Sequence, residues 1–242
     1  MISKIIDNIK TLIIALIIAV LIRSLLFQPF YIPSSSMEPT LLVGDRIFVS
    51  KYTYGYSKHS FPFSPPILSK RIFYSKANYG DLIVFKTPAD NRTDFIKRLI
   101  GLPGDEIQII KGELFINKKK ISRTKIGDRS DIRCAGYEHE VFEFKEELPN
   151  QEIHAAVYKK EGSMLNTDVY IVPEKNYFFL GDNRDCSSDS RFLSNVGYVH
   201  ENNLVGKAKI IFFSNDTKKG SVLKFWNWKN SIRFDRFFKS IK

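Results

Sequence analysis

Two hydrophobic patterns divide the chain into an apolar first segment and a longer remainder of short alternating runs. The first segment, TLIIALIIAVLI from Thr11 to Ile22, holds no charged residue, and after Arg23 the apolar character resumes as far as Phe27. A bilayer core of ~30 Å needs about 20 helical residues, so the run must recruit its flanks while Arg23 reaches toward one interface. The pattern predicts one transmembrane helix over residues 11–27.

Flanking charge predicts the orientation of this helix. Lys4 and Lys10 precede the run, whereas no Lys or Arg occurs from Ser24 to Asp45. The positive-inside rule then places residues 1–10, Met1 included, in the cytoplasm and residues 28–242 outside. A cleavable signal peptide is the competing interpretation, although the usual small-x-small cleavage pattern is missing.

Beyond Pro33 the chain alternates β-branched and aromatic runs with turn residues. These runs are RIFVSKYTYG, GDLIVFKTP, DFIKRLIGLPGD, EIQIIKGELFINKKKI, DVYIVPEKNYFFLGD and VGKAKIIFFS. No amphipathic helical stretch of convincing length separates them, which disfavours a parallel βαβ arrangement. We expect a mainly β domain with an antiparallel, barrel-like sheet. We also predict a β subdomain that leaves the main sheet over residues from about 108 to 178. Its charge-rich part runs from Ser122 to Gln151.

Charge and cysteine content narrow the function classes. Lys and Arg number 37 against 26 Asp and Glu, a net charge of +11, which favours an anionic partner. The charge is scattered and no nucleic-acid-binding motif accompanies it, so we expect a phospholipid surface and no nucleic acid. The two cysteines, Cys134 and Cys186, lack metal-ligand spacing. We therefore expect no metal and leave a disulfide between them open.

The tail from Asn215 to Lys242 carries eight Lys or Arg and two Asp, interleaved with aromatic residues. This mixture suits a membrane interface. A segment that packs its rings onto the sheet and solvates its charges fits the pattern equally well. Sequence alone leaves both interpretations open.

Candidate chemistry lies in a serine cluster and a strand lysine. The cluster Ser34-Ser35-Ser36 follows the apolar segment directly, and Lys97 lies within an otherwise apolar strand, on the same face as Phe95. A serine hydroxyl needs a base to become a nucleophile. None of the histidines stands in a pattern that indicates a Ser-His-Asp triad. An apolar environment lowers a lysine pKa from ~10.4 toward 7 or 8, where the amine can act as that base.

Three motifs, in this order, resemble the motif boxes of bacterial type I signal peptidase, also called leader peptidase. They are IPSSSMEPTLLVGD, GDLIVFKTPADNRTDFIKRLIGLPGD and GDNRDCSSDSR. The resemblance implies that Ser36 is the nucleophile and Lys97 its general base, without any histidine or cofactor. It also implies that the hydroxyl of Ser34, together with the main-chain N–H of Ser36, stabilises the oxyanion, and that Ser187 orients Lys97.

The resemblance extends to supporting residues and to the substrate. Asp189 and Arg191 match a structural salt-bridge pair that is expected to involve Arg98. Small specificity pockets, which would accept alanine at positions −1 and −3 of a preprotein signal peptide, match apolar positions of this chain: Phe30, Ile32, Val84, Phe95 and Ile96. Such peptidases remove leader peptides from exported proteins, and the resemblance places the chain in the bacterial inner membrane as a single-pass protein with its catalytic domain in the periplasm.

Two departures from the family pattern stand out. Cys186 occupies a position where Asn is familiar beside Ser187, and the span between Lys97 and the third motif is short, which implies a reduced β subdomain. A different Ser-Lys peptidase, of the self-cleaving repressor or conjugation-linked type, is one alternative, although the first would need a DNA-binding module. A catalytically silent, membrane-anchored β domain that binds anionic lipid is the second.

Overall fold

The computed structural model describes residues 2–134, 136–220 and 225–241. Two α-helices, α1 (Ile2–Leu21) and α2 (Trp228–Ser231), accompany fifteen strands within these ranges. The strands are β1 (Phe27–Tyr31), β2 (Asp45–Ser50), β3 (Leu82–Lys86), β4 (Asp94–Gly101), β5 (Glu106–Ile110), β6 (Glu113–Ile116), β7 (Lys119–Lys120), β8 (Ser122–Cys134), β9 (Tyr137–Glu147), β10 (Ile153–Lys159), β11 (Tyr170–Ile171), β12 (Asn176–Leu180), β13 (Val199–His200), β14 (Leu204–Ser214) and β15 (Lys239–Ser240). The prediction of a mainly β fold is confirmed.

The N-terminal helix starts earlier than the predicted span. A π-helical turn, Ile22–Leu26, continues α1, and the stretch long and apolar enough to cross a membrane is Lys4–Leu26. The predicted span of 11–27 started after Lys10 because that lysine ends the uncharged run. Ile5, Ile6 and Ile9 nevertheless continue the apolar surface of the helix toward its N-terminus. Most apolar side chains of α1 are exposed, Leu12 by 70%, so other parts of the protein leave this surface largely uncovered.

The main sheet is antiparallel and contains eight strands. Seven follow the order β1-β2-β14-β3-β4-β12-β13, and β15 pairs with β14. The late strand β14 thus lies between β2 and β3, pairing with β2 through Ile211 and Ile47 and with β3 through Lys207 and Ile83. Alternation along these strands buries one apolar set against the Ser35–Met37 turn and another on the opposite face.

Two smaller sheets occupy the middle of the chain. One has the order β11-β5-β6-β7 and the other is the meander β10-β9-β8. The turn from Leu102 to Asp105 that leads into β5 takes the positive φ at Gly104, +88°, that the Pro-Gly pair predicts. The charge-rich part from Ser122 to Gln151 forms the long β8–β9 hairpin, whose tip returns to the main sheet through the Cys134–Cys186 disulfide.

The C-terminal tail combines buried and exposed positions. Arg236 forms a buried ion pair with Asp45, 2.6 Å between Nη2 and Oδ2, and Ile241 lies in the core. Phe225 and Trp226 are 69% and 71% exposed. Part of the tail therefore packs on the sheet, whereas its aromatic start faces outward. Residues 221–224 and 242, which belong to the predicted membrane-interface tail, and Met1, predicted to be cytoplasmic, lie outside the described residues.

Candidate active site

The serine cluster forms a tight turn at the end of β1. Residues Ser35–Met37 make one 3₁₀ turn that is closed by a hydrogen bond from the N–H of Glu38 to the carbonyl of Ser35, 3.0 Å. Met37 is fully buried and anchors the turn in the core. The Ser36 side chain lies 7% exposed at the base of a cleft. The sequence pattern alone predicts a polar linker here. In the structure, the burial of Met37 fixes the geometry of the turn.

Lys97 projects from β4 toward this turn. Its Nζ lies 2.6 Å from the Oγ of Ser36, and the residue is only 2% exposed. The same Nζ atom lies 5.4 Å from the ring centre of Phe95. Strand alternation brings Lys97 to the cleft and turns the neighbouring Arg98 to the other face.

Burial sets the protonation of Lys97. Loss of solvation lowers the pKa of Lys97 to about 8, although the charges of Asp189 and Asp182 act in the opposite direction. A substantial neutral fraction therefore exists at mildly alkaline pH. A neutral amine at hydrogen-bond distance from a hydroxyl can accept its proton.

The two other predicted hydroxyl groups differ in placement. The Oγ of Ser34 lies 3.3 Å from the Oγ of Ser36 at the solvent-exposed mouth of the cleft, a position from which it can reach an oxygen of a bound carbonyl. Ser187 is buried, and its Oγ has no hydrogen-bond partner among the described residues. The orientation of Lys97 by Ser187 therefore stays a prediction. A side chain at Gly181 would collide with both Ser187 and the Ser36 carbonyl, so this glycine allows the motifs to approach closely.

Arg98 forms a buried ion pair with Asp182, a carboxylate of the third motif. Its Nε and Nη2 each lie 2.8 Å from an oxygen of Asp182, in a pair that solvent does not reach. Asp189 pairs with Arg191, 2.8 Å, as the resemblance implies, and accepts the N–H of Gly181. The involvement of Arg98 with the Asp189–Arg191 pair stays a prediction. Alternation on β4 aims Arg98 at the start of the third motif, where Asp182 lies.

Asn183 connects the third motif to the Ser35–Met37 turn through hydrogen bonds. Its main-chain N–H donates to the Ser36 carbonyl at 3.1 Å, and its Nδ2 donates to the carbonyls of Ser35, 3.1 Å, and Arg133, 2.9 Å. Sequence reasoning missed this residue because a polar loop asparagine carries no periodic signal. Its position directly after Asp182 was the only available indication.

The β8–β9 hairpin also contacts the Ser35–Met37 turn. Cys134 near its tip forms a disulfide with Cys186, next to Ser187. The N–H of Arg133 donates to the buried carboxylate of Glu38, 2.8 Å, directly after the Ser35–Met37 turn. Burial raises the pKa of Glu38, against the lowering effect of that hydrogen bond and of the Arg133 charge. The hairpin therefore holds the end of this turn in place.

A buried ionic cluster lies behind the third motif and was also missed. Arg184 contacts Glu146 with 2.6 Å between Nη2 and Oε2, and the hydroxyl of Tyr158 bonds both residues. Burial alone would raise the pKa of Glu146, but the neighbouring charges of Arg184 and His154 outweigh it and hold this pKa low. Desolvation and the charge of Arg98 lower the pKa of His154.

The histidines lie away from the serine, in agreement with the sequence interpretation. His59 and His154 are both buried, and their contacts are with the 57–64 loop and with the Arg184 cluster. In the described part of the chain, the hydrogen bonds of the Ser36 hydroxyl join it to Ser34 and Lys97. The same part holds no group of three or more His, Cys, Asp or Glu that could bind a metal ion.

The cleft above Ser36 and Lys97 has a volume of about 320 Å³. All five predicted pocket residues line it: Phe30, Ile32, Val84, Phe95 and Ile96. Met37, Thr93 and Asp94 also line the cleft and were not predicted. The walls are the end of β1 and the start of β4, so an extended peptide could lie between two strands that expose main-chain groups.

Comparison with known proteins identifies relatives for nearly the whole chain. A family model described as signal peptidase, peptidase S26, matches residues 5–213. Signal peptidase I of Rickettsia conorii is 43% identical over 93% of this chain and 88% of the relative. The enzyme of Rickettsia rickettsii is 42% identical over the same shares. A crystal structure of a signal peptidase I from Enterococcus faecalis is 26% identical and covers 55% of this chain and 97% of that chain, with a TM-score of 0.33.

Proposed function

The chain belongs to the S26 family of signal peptidases, which are serine peptidases that remove signal peptides, and from this premise we propose that Ser36 and Lys97 are its catalytic dyad. The observation that carries the proposal is the 2.6 Å distance between the lysine Nζ and the serine Oγ in a buried setting. Both residues also lie within the stretch that the family model matches.

In the proposed reaction, the neutral amine of Lys97 accepts the proton of the Ser36 hydroxyl as the oxygen attacks the carbonyl carbon of the scissile bond. The negative charge that develops on the carbonyl oxygen is stabilised by the main-chain N–H of Ser36 and the hydroxyl of Ser34. The protonated lysine then donates to the departing amine, which leaves an ester on Ser36. Water, activated by the same neutral amine, hydrolyses that ester and restores the serine.

The cleft supports a preference for small side chains next to the scissile bond. Its apolar walls, which include Ile32, Val84 and Ile96, leave about 320 Å³ for the substrate. We propose that alanine or a similarly small residue at positions −1 and −3 fills these pockets. Larger side chains would collide with close-packed walls and lose binding energy.

We further propose that α1 crosses the bacterial inner membrane once, with its N-terminus in the cytoplasm and the catalytic domain in the periplasm. Its exposed apolar surface, Leu12 among others, needs a lipid environment to avoid contact with water. Nine residues separate Phe27 from Ser36, and at ~3.3 Å per residue they span at most about 30 Å. A substrate anchored by its own apolar segment would meet the dyad at this height, which restricts its orientation.

The experiment that tests the dyad compares the purified full chain with point variants on a preprotein that carries an Ala-x-Ala site. We expect wild type to cut after the second alanine and Ser36→Ala and Lys97→Ala to lose cleavage. Ser35→Ala, in the neighbouring serine, and Lys145→Ala, in an exposed strand lysine, serve as matched controls and retain it. Near-normal turnover by Lys97→Ala would contradict the assigned base, and a preprotein that wild type leaves uncut would contradict the proposed function.

A further inference from the structure

A second and larger cavity lies beside the cleft. It has a volume of about 660 Å³ and separates the C-terminal half of α1 from the loop of residues 57–64. Six residues form its two facing sides: Leu16, Ala19, Val20, Phe61, Pro62 and Phe63. The proposed dyad chemistry assigns no role to this groove.

One face of α1 forms the first side. Leu16, Ala19, Val20 and Arg23 follow the i, i+3, i+4, i+7 spacing that places residues on one face of a helix. Ala19 is the smallest of the four. Ile18 lies about two hundred degrees away from Leu16 around the helix, on the opposite face. The helix side of the groove is thus one stripe, apolar at Leu16, Ala19 and Val20 and charged at Arg23.

The 57–64 loop forms the second side and is held from within. Lys51 is 1% exposed, and its Nζ donates to the carbonyls of His59 and Ser60, each at 3.2 Å. Ser57 and Ser60 cap the short turn between them, 3.1 Å from the Ser57 N–H to the Ser60 Oγ. The Nδ1 of His59 lies 2.9 Å from the hydroxyl of Ser64. These contacts hold the loop in place beside the helix, so the groove is a preformed feature.

The exposure of Phe63 indicates the surroundings of the groove. Phe63 is fully exposed to solvent, although it lies beside the helix face formed by Leu16 and Val20. When α1 crosses a bilayer, these helix residues lie in the leaflet next to the catalytic domain, and the loop enters that leaflet with them. The two facing sides of the groove therefore present apolar side chains to an occupant at this depth, while Arg23, Lys86 and Asp94 add charge to its lining.

The groove joins the catalytic cleft. Phe30 and Asp94 line both cavities. A peptide bound in the cleft as an extended strand advances ~3.3 Å per residue, so only a few residues separate its scissile bond from the groove. The substrate segment that arrives there comes from the apolar part of the signal peptide.

We propose that the apolar helix of the signal peptide docks in this groove, between α1 and the 57–64 loop, while the residues before the scissile bond run into the cleft. The proposal rests on the proposed signal-peptidase function and adds a binding site to it. The groove then selects substrates by an apolar segment, and the cleft selects them by small residues.

The kinetic test fills the groove and compares two substrates. Ala19→Trp and, independently, Val20→Trp place a bulky ring in the groove, whereas Ile18→Trp places it on the opposite face of the helix. With a full preprotein, we expect the groove variants to lower kcat/KM by about tenfold, since contacts worth one buried aliphatic side chain are lost. With a short water-soluble peptide that contains only the Ala-x-Ala site, the groove variants should match wild type, and Ile18→Trp should match wild type on both.

A binding test separates the docking site from the chemistry. In a Ser36→Ala background, a photocrosslinking amino acid at position 19 should capture the signal-peptide part of the preprotein, and the same group at position 18 should not. Equal losses on both substrates, or no loss together with no capture at position 19, would overturn the docking site, the second result leaving the groove to lipid chains. Wild type that fails to cut the preprotein while position 19 still captures it would refute the proposed function and leave the docking site standing.

Discussion

The Nζ of Lys97 and the Oγ of Ser36 lie 2.6 Å apart although 61 residues separate them in the chain. Lys97 reaches the serine from a strand, with apolar residues around its stem, and its burial lowers its pKa to about 8. Two consequences of this placement can be measured, one in the pH dependence of catalysis and one in the stability of the fold.

Catalysis should depend on the neutral form of Lys97. Because burial lowers the pKa of Lys97 to about 8, kcat/KM should rise with pH and level off above that value. Below it, the rate should fall by about tenfold per pH unit. Initial rates between pH 6 and 10 on a short peptide substrate measure this profile.

A second buried lysine supplies the control for the pH profile. Burial also lowers the pKa of Lys51 to about 8, but this residue supports the 57–64 loop and does not contact Ser36. Lys51→Met should therefore leave the apparent pKa of kcat/KM where it is in wild type. A profile that loses its rise in Lys51→Met, or is flat in wild type, would rule out Lys97 as the titrating base.

Replacing Lys97 should stabilise the fold while it removes activity. A shift of the Lys97 pKa from 10.5 to about 8 corresponds to about 3 kcal/mol of folding free energy lost below pH 8. The unfolded chain holds this proton more tightly, so the loss is full below pH 8 and declines as pH rises toward 10.5. Lys97→Met should raise the free energy of unfolding most at pH 7 and least near pH 10. Denaturant titrations at both pH values measure it, and an equal or opposite effect at the two would contradict the buried amine.

Ser34 should contribute to the rate and little to binding. Its hydroxyl, 3.3 Å from that of Ser36, is proposed to meet the oxyanion, and loss of one such donor lowers kcat by about 10²–10³. Ser34→Ala should therefore reduce kcat with KM nearly unchanged, and Ser34→Thr, which keeps a hydroxyl, should recover much of it. The control Ser35→Ala should behave as wild type. A Ser34→Ala enzyme with unaltered kcat would remove the hydroxyl from the oxyanion site.

The Arg98–Asp182 pair should stabilise the active-site region. Both side chains are inaccessible to solvent, and removal of one partner from such a pair costs about 3–5 kcal/mol. Arg98→Met and Asp182→Leu should each lower the free energy of unfolding by this amount, and the double variant by less than their sum. Lys120→Met breaks the solvent-exposed pair with Glu113, and should cost about 1 kcal/mol or less. Additive losses in the double variant would show that the two residues act independently.

The Cys134–Cys186 disulfide should stabilise both the fold and the cleft. It closes a segment of 52 residues, for which the chain-entropy relation gives about 4 kcal/mol. The Cys134→Ser, Cys186→Ser double variant should lose stability of this order and some activity, because Cys186 lies beside Ser187 and close to Asn183. Reductant should affect wild type and leave the double variant unchanged. Unaltered unfolding of wild type under reductant, with the bond shown to be open, would contradict this role.

Local patterning predicted the features that depend on neighbouring residues. Period-two alternation placed Lys97 and Arg98 on opposite faces of β4, and the Pro-Gly pair predicted the turn at Gly104. The motif resemblance indicated Ser36, Ser34 and the pocket residues, all of which line or border one cleft. These features follow from short segments whose geometry has few alternatives.

Pairings between distant segments could not be derived in the same way. The pairing of Arg98 with Asp182 depends on how the loop after β12 packs against β4. The Glu146–Arg184 pair and the disulfide depend on where the β8–β9 hairpin returns to the main sheet. Each requires the relative placement of two sheets, which periodicity within a strand does not specify.

Strand β14 sets the order in which an active molecule can arise. It joins β2, which follows the Ser35–Met37 turn, to β3, which pairs with the Lys97 strand β4. Leu204 to Ser214 leave the ribosome after every other strand of the main sheet except β15. A nascent molecule that ends before Leu204 lacks the strand that bridges its two halves in the main sheet. We therefore expect proteolytic competence to begin only once β14 has been made and has entered the sheet.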